Sequence, residues 1–377
     1  MDLIAGSGSF LIGTIVPFLF VLTLIVFIHE LGHFSVARWC GVGVKAFAVG
    51  FGPELFGFTD KQGTRWKFCI IPLGGYVKFE GDENVASTPD HDELAQMDEQ
   101  QQQRAFHLKP LWQRAAVVVA GPVANFILAI IIFGGVFYAF GERITVPRVD
   151  SVQEQSAAEQ AGVEAGDIVV AIDGEPVGSF AEIQRIVTFS ADRPLVFTFD
   201  RGGSLLDLTI VPERREIDDG FGNMQRVGMI GVVHEAGEDD VTIIEYGPVE
   251  ATGRAVVQTG RVITQSLTYI GRIIVGQESP DQLSGPVRVA KISGDVATLG
   301  FLALLQLAAV ISVSIGMVNL FPIPMLDGGH LAFYAIEAVR GKPLSERSQE
   351  FGFRVGLAMV MGLMVFATWN DIVQLMR

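Results

Sequence analysis

The sequence predicts a polytopic α-helical membrane protein with four transmembrane helices, a membrane-associated β-hairpin and an inserted α+β domain. Hydrophobic residues make up 49% of the 377 residues and charged residues 18%, and the mean hydropathy is +0.40. These values are too apolar for a soluble protein of this length and argue against a cytosolic enzyme. Four stretches lack charged side chains over about the length that crosses a ~30 Å hydrocarbon core: residues 10–28, 115–140, 296–326 and 355–370.

The charge of the chain is unevenly distributed. The formal net charge is −15, from 42 acidic and 27 basic residues, and there is no run rich in Lys and Arg. We therefore expect no nucleic-acid partner. Residues 142–295 contain 25 acidic and 13 basic residues, and so account for −12 of the total. The acidity belongs mainly to one inserted region.

The distribution of Lys and Arg predicts the topology. Basic residues accumulate after the first span, before the second, and between the third and fourth, whereas residues 1–9 have none. By the positive-inside rule, those loops are cytoplasmic, and both termini and residues 142–295 lie outside. The bare N-terminus also argues that the first span is retained rather than removed as a signal peptide. Cys40 and Cys69 then lie on the reducing side, as free thiols.

The first half of the chain divides into three predicted segments. Residues 1–40 are the first transmembrane helix, and residues 111–141 are the second. Residues 41–110 lie between them on the cytoplasmic side. Apolar, glycine-broken runs at 47–80 predict a β-hairpin in or against the bilayer, and the acidic, Gln-rich residues 84–103 predict a flexible loop.

Residues 142–235 are predicted to form the inserted domain. Capping boxes begin at Ser156 and Ser179, and a glycine turn, an apolar strand and an Asp-Gly turn lie between them. Around the stretch GVEAGDIV, residues 146–212 resemble a bacterial PDZ domain in a single copy; another small β-rich domain is the alternative. Residues 236–295 follow as a juxtamembrane segment. Within it, residues 248–275 read as an amphipathic helix, either at the membrane surface or packed on the inserted domain.

The sequence FIHELGHF places His29, Glu30 and His33 at the inner end of the first span. Residues four apart share one face of a helix, so the two imidazoles can bind one zinc ion while the glutamate activates water. The alternative is a polar helix end at the cytoplasmic surface. Ionisable residues next to hydrocarbon are costly and usually functional, which favours the zinc site.

A third ligand is needed, because catalytic zinc sites commonly have three protein ligands and an open position. The third transmembrane segment, residues 296–335, contains NLFPIPMLDGGH. Its prolines interrupt the helix at membrane depth, which is tolerated where protein or a water-filled cavity receives the freed backbone. Asp327 and His330 are the two candidates. Residues 336–377 are a cytoplasmic loop and the fourth transmembrane helix.

The combination of HELGH, GPVAN, the PDZ-like insertion and NLFPIPMLDGG resembles the site-2 protease family of intramembrane zinc metalloproteases. Within that family, the arrangement is similar to the bacterial members that cleave anti-sigma factors, although well-known relatives carry two tandem PDZ domains. The resemblance implies that His29, His33 and Asp327 bind Zn²⁺ and that Glu30 is the catalytic base. It places Asn319 beside the active site, as a substrate-binding residue or as a polar contact that stabilises the helix bundle.

The resemblance also implies partners and a location. These are single-span membrane proteins already shortened by an upstream site-1 protease, or remnant signal peptides, cleaved within the lipid of a bacterial inner membrane during stress-response signalling. The PDZ domain would be periplasmic, and the hairpin would capture the substrate as an added strand. A transporter and a PDZ-bearing scaffold are the competing classes, but a transporter is expected to show internal repeats and a scaffold needs no metal ligands.

Overall fold

The computed structural model describes residues 11–82, 91–218, 224–234, 241–276 and 285–375. The chain divides into two compact units. The first comprises Met1–Val136 and Glu250–Val373, and the second comprises Phe137–Val249 with Gln374–Arg377.

The α-helices of the described residues are α1 (Val16–Trp39), α2 (His91–Gln96), α3 (Glu99–Arg104), α4 (Leu111–Phe140), α5 (Ala157–Ala161), α6 (Phe180–Thr188), α7 (Pro248–Ile274), α8 (Pro286–Thr298), α9 (Phe301–Asn319), α10 (Asp327–Arg340) and α11 (Glu346–Leu375). The strands are β1 (Val44–Thr59), β2 (Arg65–Phe79), β3 (Glu142–Thr145), β4 (Ser151–Val152), β5 (Ile168–Ile172), β6 (Glu175–Pro176), β7 (Leu195–Arg201), β8 (Ser204–Ile210), β9 (Glu213–Asp218), β10 (Met224–Met229), β11 (Val232–Val233) and β12 (Val241–Ile244).

Four helices of the described residues are long and apolar enough to cross a membrane, which confirms the number predicted from the sequence. They span Gly13–Trp39, Leu111–Phe140, Phe301–Asn319 and Arg347–Val373. The third begins later than the predicted residue 296, because α8 extends to Thr298 and Gly300 has a φ of +116°. Few residues other than glycine adopt this conformation, so the chain breaks between α8 and α9.

Strands β1 and β2 are antiparallel and fold back on one another. Phe47 lies opposite both Val77 and Trp66, and Trp66 also lies opposite Phe58. Across the sheet at this point, four backbone segments therefore lie side by side in the order Phe58, Trp66, Phe47, Val77. Residues 75–79 consequently form one edge of the sheet. The far end exposes large apolar side chains, including Leu55, Phe56, Ile70 and Ile71.

The expectation of a flexible loop at residues 84–103 is wrong for its second part, where α2 and α3 lie. Asp98 caps α3: its carboxylate accepts a hydrogen bond from the backbone N–H of Gln101, and the Gln101 side chain accepts one from the backbone N–H of Asp98. This reciprocal capping box satisfies two backbone donors at the helix start. Residues 83–90 lie outside the described residues.

The second unit is built around a four-stranded sheet in the order β6-β5-β7-β8. Its buried core includes Leu195, Phe197 and Phe199 of β7. Helix α6 covers this core with its apolar face, and Ser179 caps the helix by accepting a hydrogen bond from the N–H of Glu182. Three further strand pairs, β3 with β12, β4 with β11 and β9 with β10, complete the unit.

Helix α7 buries a narrow stripe of side chains. Ala251, Ala255, Thr259 and Val262 are buried and recur at the spacing of one helix face. A Cβ added to Gly134 of α4 would lie 3.6 Å from the Cβ of Ala255. This part of α7 therefore packs on α4 through small residues, a contact absent from both predicted alternatives for the segment.

Candidate metal centre

Helix α1 presents His29 and His33 on one face. The rings are four residues apart, their centroids are 4.8 Å apart, and their Nε2 atoms are 3.2 Å apart. His29 is a polar residue on a helix that is apolar enough to cross a membrane, and its side chain is buried within the protein. The two imidazoles are therefore enclosed by parts of the first unit that pack against α1. They do not lie exposed at a helix end.

A tight turn between α9 and α10 places Asp327 opposite the two histidines. Pro322 and Pro324 prevent α9 from continuing, and Asp327 is the first residue of α10. A Cβ on Gly328 would collide with the carbonyl oxygens of Leu320 and Phe321. The glycine after Asp327 thus lets the start of α10 lie directly on this turn.

The candidate ligand atoms of His29, His33 and Asp327 lie within 4.8 Å of one another. Nε2 of His29 is 3.2 Å from Oδ2 of Asp327, and Nε2 of His33 is 3.5 Å from Oδ1. Ligand atoms about 2.0–2.1 Å from a tetrahedral zinc ion lie about 3.3 Å from each other. The observed separations match the edges of such a tetrahedron.

The polar atoms at the centre of this cluster also fit a metal. Oδ2 of Asp327 is buried, and apart from the neighbouring Nε2 of His29 it has no hydrogen-bonding group within reach among the described residues. Nδ1 of His33 is 2.8 Å from the carbonyl oxygen of Val117. Because a carbonyl can only accept, Nδ1 of the neutral ring bears the proton, and Nε2 keeps its lone pair for the cluster.

Helix α4 closes the back of the site through Gly121. A Cβ at this position would lie 2.5 Å from Cε1 of His33 and 2.9 Å from Cε1 of His29, and closer still to Nε2 of His33. Only a residue without a side chain allows α4 to approach both rings this closely. Gly121 is the first residue of the GPVAN motif, and the sequence pattern alone predicts no function for it.

A cavity of about 210 Å³ opens in front of the cluster. It is lined by the three candidate ligands and by Glu30, residues 75–77 of β2, Asn319 and His330. A Cβ added to Gly75 would lie 3.2 Å from Cγ of Glu30, so the sheet edge packs directly against the site. His330 lines the cavity but is outside the group of mutually close ligand atoms. Its ring is tilted by 50° relative to the ring of Phe353, and the two ring centroids are 5.4 Å apart.

A helix with the HExxH pattern, joined by a carboxylate from a second segment and set among membrane-length helices, defines a metallopeptidase-type site. The model of Peptidase family M50 matches residues 17–363. The chain belongs to this family. The resemblance to site-2 proteases and the prediction of a peptidase are therefore confirmed.

Three relatives align with almost the whole chain. "Putative zinc metalloprotease Atu1380" of Agrobacterium fabrum is 53% identical over 372 residues, covering 99% of each chain. Metalloprotease MmpA of Caulobacter vibrioides is 39% identical, covering 95% of each chain. Regulator of sigma-E protease RseP of Escherichia coli is 32% identical, covering 94% of this chain and 97% of its own length.

Proposed function

We propose that the protein is a zinc-dependent intramembrane endopeptidase that cleaves single-span membrane proteins. The observation that carries this proposal is the cluster of His29, His33 and Asp327, whose donor atoms suit zinc and have matching separations. The histidines lie on one membrane-length helix, and Asp327 follows the turn after another. Family membership and the printed names of two relatives, zinc metalloprotease and metalloprotease, support the same activity.

In this proposal His29, His33 and Asp327 hold the zinc ion. When bound, zinc supplies Lewis acidity that polarises the scissile carbonyl and makes water a stronger nucleophile at neutral pH. Glu30 is the general base: its carboxylate lines the cavity and takes a proton from the attacking water. The close approach of β2 at Gly75 holds the Glu30 side chain beside the cavity.

The substrate-binding roles follow from the elements that line the cavity. A helical substrate must be unwound locally, because its carbonyl groups are hydrogen-bonded within the helix. Residues 75–77 lie at a sheet edge and line the cavity, so an unwound segment can align there as an additional strand. Asn319 lines the same cavity from the end of α9, where its amide can bond the substrate backbone.

The inserted unit is proposed to be a periplasmic PDZ domain. A groove of about 320 Å³ lies between α6, including Phe180 and Ile183, and residues 227–232. Such a groove suits the recognition or exclusion of a periplasmic polypeptide, and thus the selection of substrates already shortened by a site-1 protease. We further propose an inner-membrane role in stress-response signalling, with a pre-cleaved anti-sigma factor as substrate and remnant signal peptides as a second substrate group. The printed name of RseP, regulator of sigma-E protease, supports the link to sigma-factor regulation.

The proposed activity is tested with purified protein in lipid vesicles and a single-span membrane substrate. We expect cleavage of a peptide bond in the spanning segment, loss of cleavage on chelation, and recovery with zinc. Glu30→Gln should keep zinc and lower turnover by several orders of magnitude, because the base is lost and the ligands remain. A transporter or a scaffold would give no cleavage, and near-normal cleavage by Glu30→Gln would refute the role of the base.

Membrane orientation is tested separately with Cys40, a partly exposed free thiol directly after α1. The predicted topology places it on the cytoplasmic side, whereas Cys69 is buried and is a poorer reporter. We expect an impermeant thiol reagent to label Cys40 in inverted vesicles but not in intact spheroplasts. Labelling in spheroplasts would contradict a periplasmic location of the inserted unit.

A further inference from the structure

Asn125 of α4 is a fully buried amide beside the metal cluster. Its exposed fraction is 0%, and its Nδ2 atom is 3.3 Å from Nδ1 of His29. Its Oδ1 atom is also buried and has no hydrogen-bond partner within the part of the chain that the structure describes. A buried amide oxygen without a donor is costly, so the environment of this side chain is incomplete without a further hydrogen bond.

The missing donor is Nδ1 of His29 in its metal-binding form. Nε2 of His29 faces His33 and Asp327, so a metal at the cluster takes the lone pair of Nε2. The proton of the neutral ring is then on Nδ1, which needs an acceptor. A half-turn about the Cβ–Cγ bond of Asn125 exchanges Nδ2 and Oδ1 and gives Oδ1 that proton.

We propose that Asn125 is a positioning residue for zinc: it accepts a hydrogen bond from Nδ1–H of His29 and holds the ring with Nε2 directed at the metal. This inference rests on the proposed zinc site. Nδ1 of His33 already donates a hydrogen bond to the carbonyl oxygen of Val117, which also belongs to α4. With the proposed bond from His29 to Asn125, α4 orients both imidazoles. The backbone at Asn125 is itself fixed, since Ser312 Oγ donates to its carbonyl oxygen at 2.9 Å.

The test measures zinc affinity of the full-length protein in detergent by competition with a chelator. Asn125→Leu keeps a similar volume and removes the acceptor, and we expect zinc affinity to fall by about 10- to 100-fold. Asn125→Asp restores an acceptor and should bind zinc at least as tightly as the original protein. Asn125→Ala, which adds no bulk to α4, gives the same comparison if the leucine variant does not fold.

Ser312→Ala is the matched control, because it removes a hydrogen bond to the backbone carbonyl oxygen of Asn125 and leaves the side-chain amide of Asn125 unchanged. We expect it to lower the melting temperature while leaving zinc affinity within about twofold. Unchanged zinc affinity in Asn125→Leu or Asn125→Ala would overturn the inference and leave the protease proposal intact. Equal losses in Asn125→Asp and Asn125→Leu would also overturn it. Failure of the unmodified protein to bind zinc would overturn both proposals.

Discussion

Replacing Gly121 with alanine adds one methyl group directly behind the metal ligands. The new Cβ would lie 2.5 Å from Cε1 of His33 and 2.9 Å from Cε1 of His29, against ordinary contacts of 3.4–4 Å. One or both rings, or the whole of α4, must therefore move by about 1 Å. The helix itself gains from the change, because alanine is favoured over glycine in a helix interior by roughly 0.5–1 kcal/mol.

A displacement of this size is large for a metal site, where ligand distances are held within about 0.2 Å. We expect Gly121→Ala to weaken zinc binding at least ~100-fold and to lower cleavage by a similar factor or more, since a 1 Å misplacement of reacting groups can cost about 10²-fold in rate. Zinc content at a fixed free zinc concentration, cleavage and thermal unfolding of the metal-free protein should be measured on one preparation.

Gly135→Ala is the control on the same helix, because a Cβ there meets nothing within 4 Å. It should retain zinc and full cleavage. The reasoning would be refuted by a Gly121→Ala protein with the zinc content and cleavage of the original, since the rings would then have space that the structure does not show.

Three further outcomes are expected. Asp327→Asn should lose most of its zinc whereas His330→Ala should keep it, because a neutral amide is a poor ligand; metal analysis showing the reverse would make His330 the third ligand. Asn319→Leu should reduce cleavage severely while zinc content and melting temperature stay near those of the original protein, and a loss of activity only in proportion to folded protein would leave a structural role. The Arg201 guanidinium bonded to Asp167 holds the pKa of that carboxyl below its usual value of 3.8. The resulting stability is present above that ordinary pKa of the unfolded chain and is lost as pH falls through the lower folded value. Asp167→Asn should therefore lower the free energy of unfolding of the second unit at pH 7 and flatten its dependence on acid pH, measured by hydrogen exchange in β5; an unchanged pH profile would exclude the Asp167–Arg201 pair as its cause.

The part of the site carried by one helix could be predicted from the sequence, because residues 29, 30 and 33 have a fixed spacing on α1. The choice between Asp327 and His330 could not be derived from spacing alone, since it depends on a turn packed through Gly328 against residues almost 300 positions from the histidines. The GPVAN motif contains Asn125 but predicts no function for it, because periodicity does not reveal which face of α4 meets His29.

Two other differences between the predicted and the observed fold have signals in the sequence, but the amino-acid composition around them obscured those signals. The Asp98 and Gln101 capping box is visible in the sequence, but the abundance of polar residues favoured a flexible loop. Gly300 likewise marks the break between α8 and α9 within one continuous uncharged run. Long uncharged runs thus indicate membrane segments well, whereas their exact ends depend on single residues inside them.

The fourth membrane-length helix has a consequence for the order of assembly. A Cβ on Gly356 of α11 would lie 2.8 Å from the Cβ of Pro324, so this helix lies directly behind the turn that carries Asp327. The histidines leave the ribosome about 300 residues before this support is synthesised. Contacts so distant along the chain form late in folding, after the cost of closing a long loop. We therefore expect the turn that carries Asp327 to lack its support until the last helix has been inserted, and a protein truncated within α11 to be inactive even though every candidate metal ligand and the base are present.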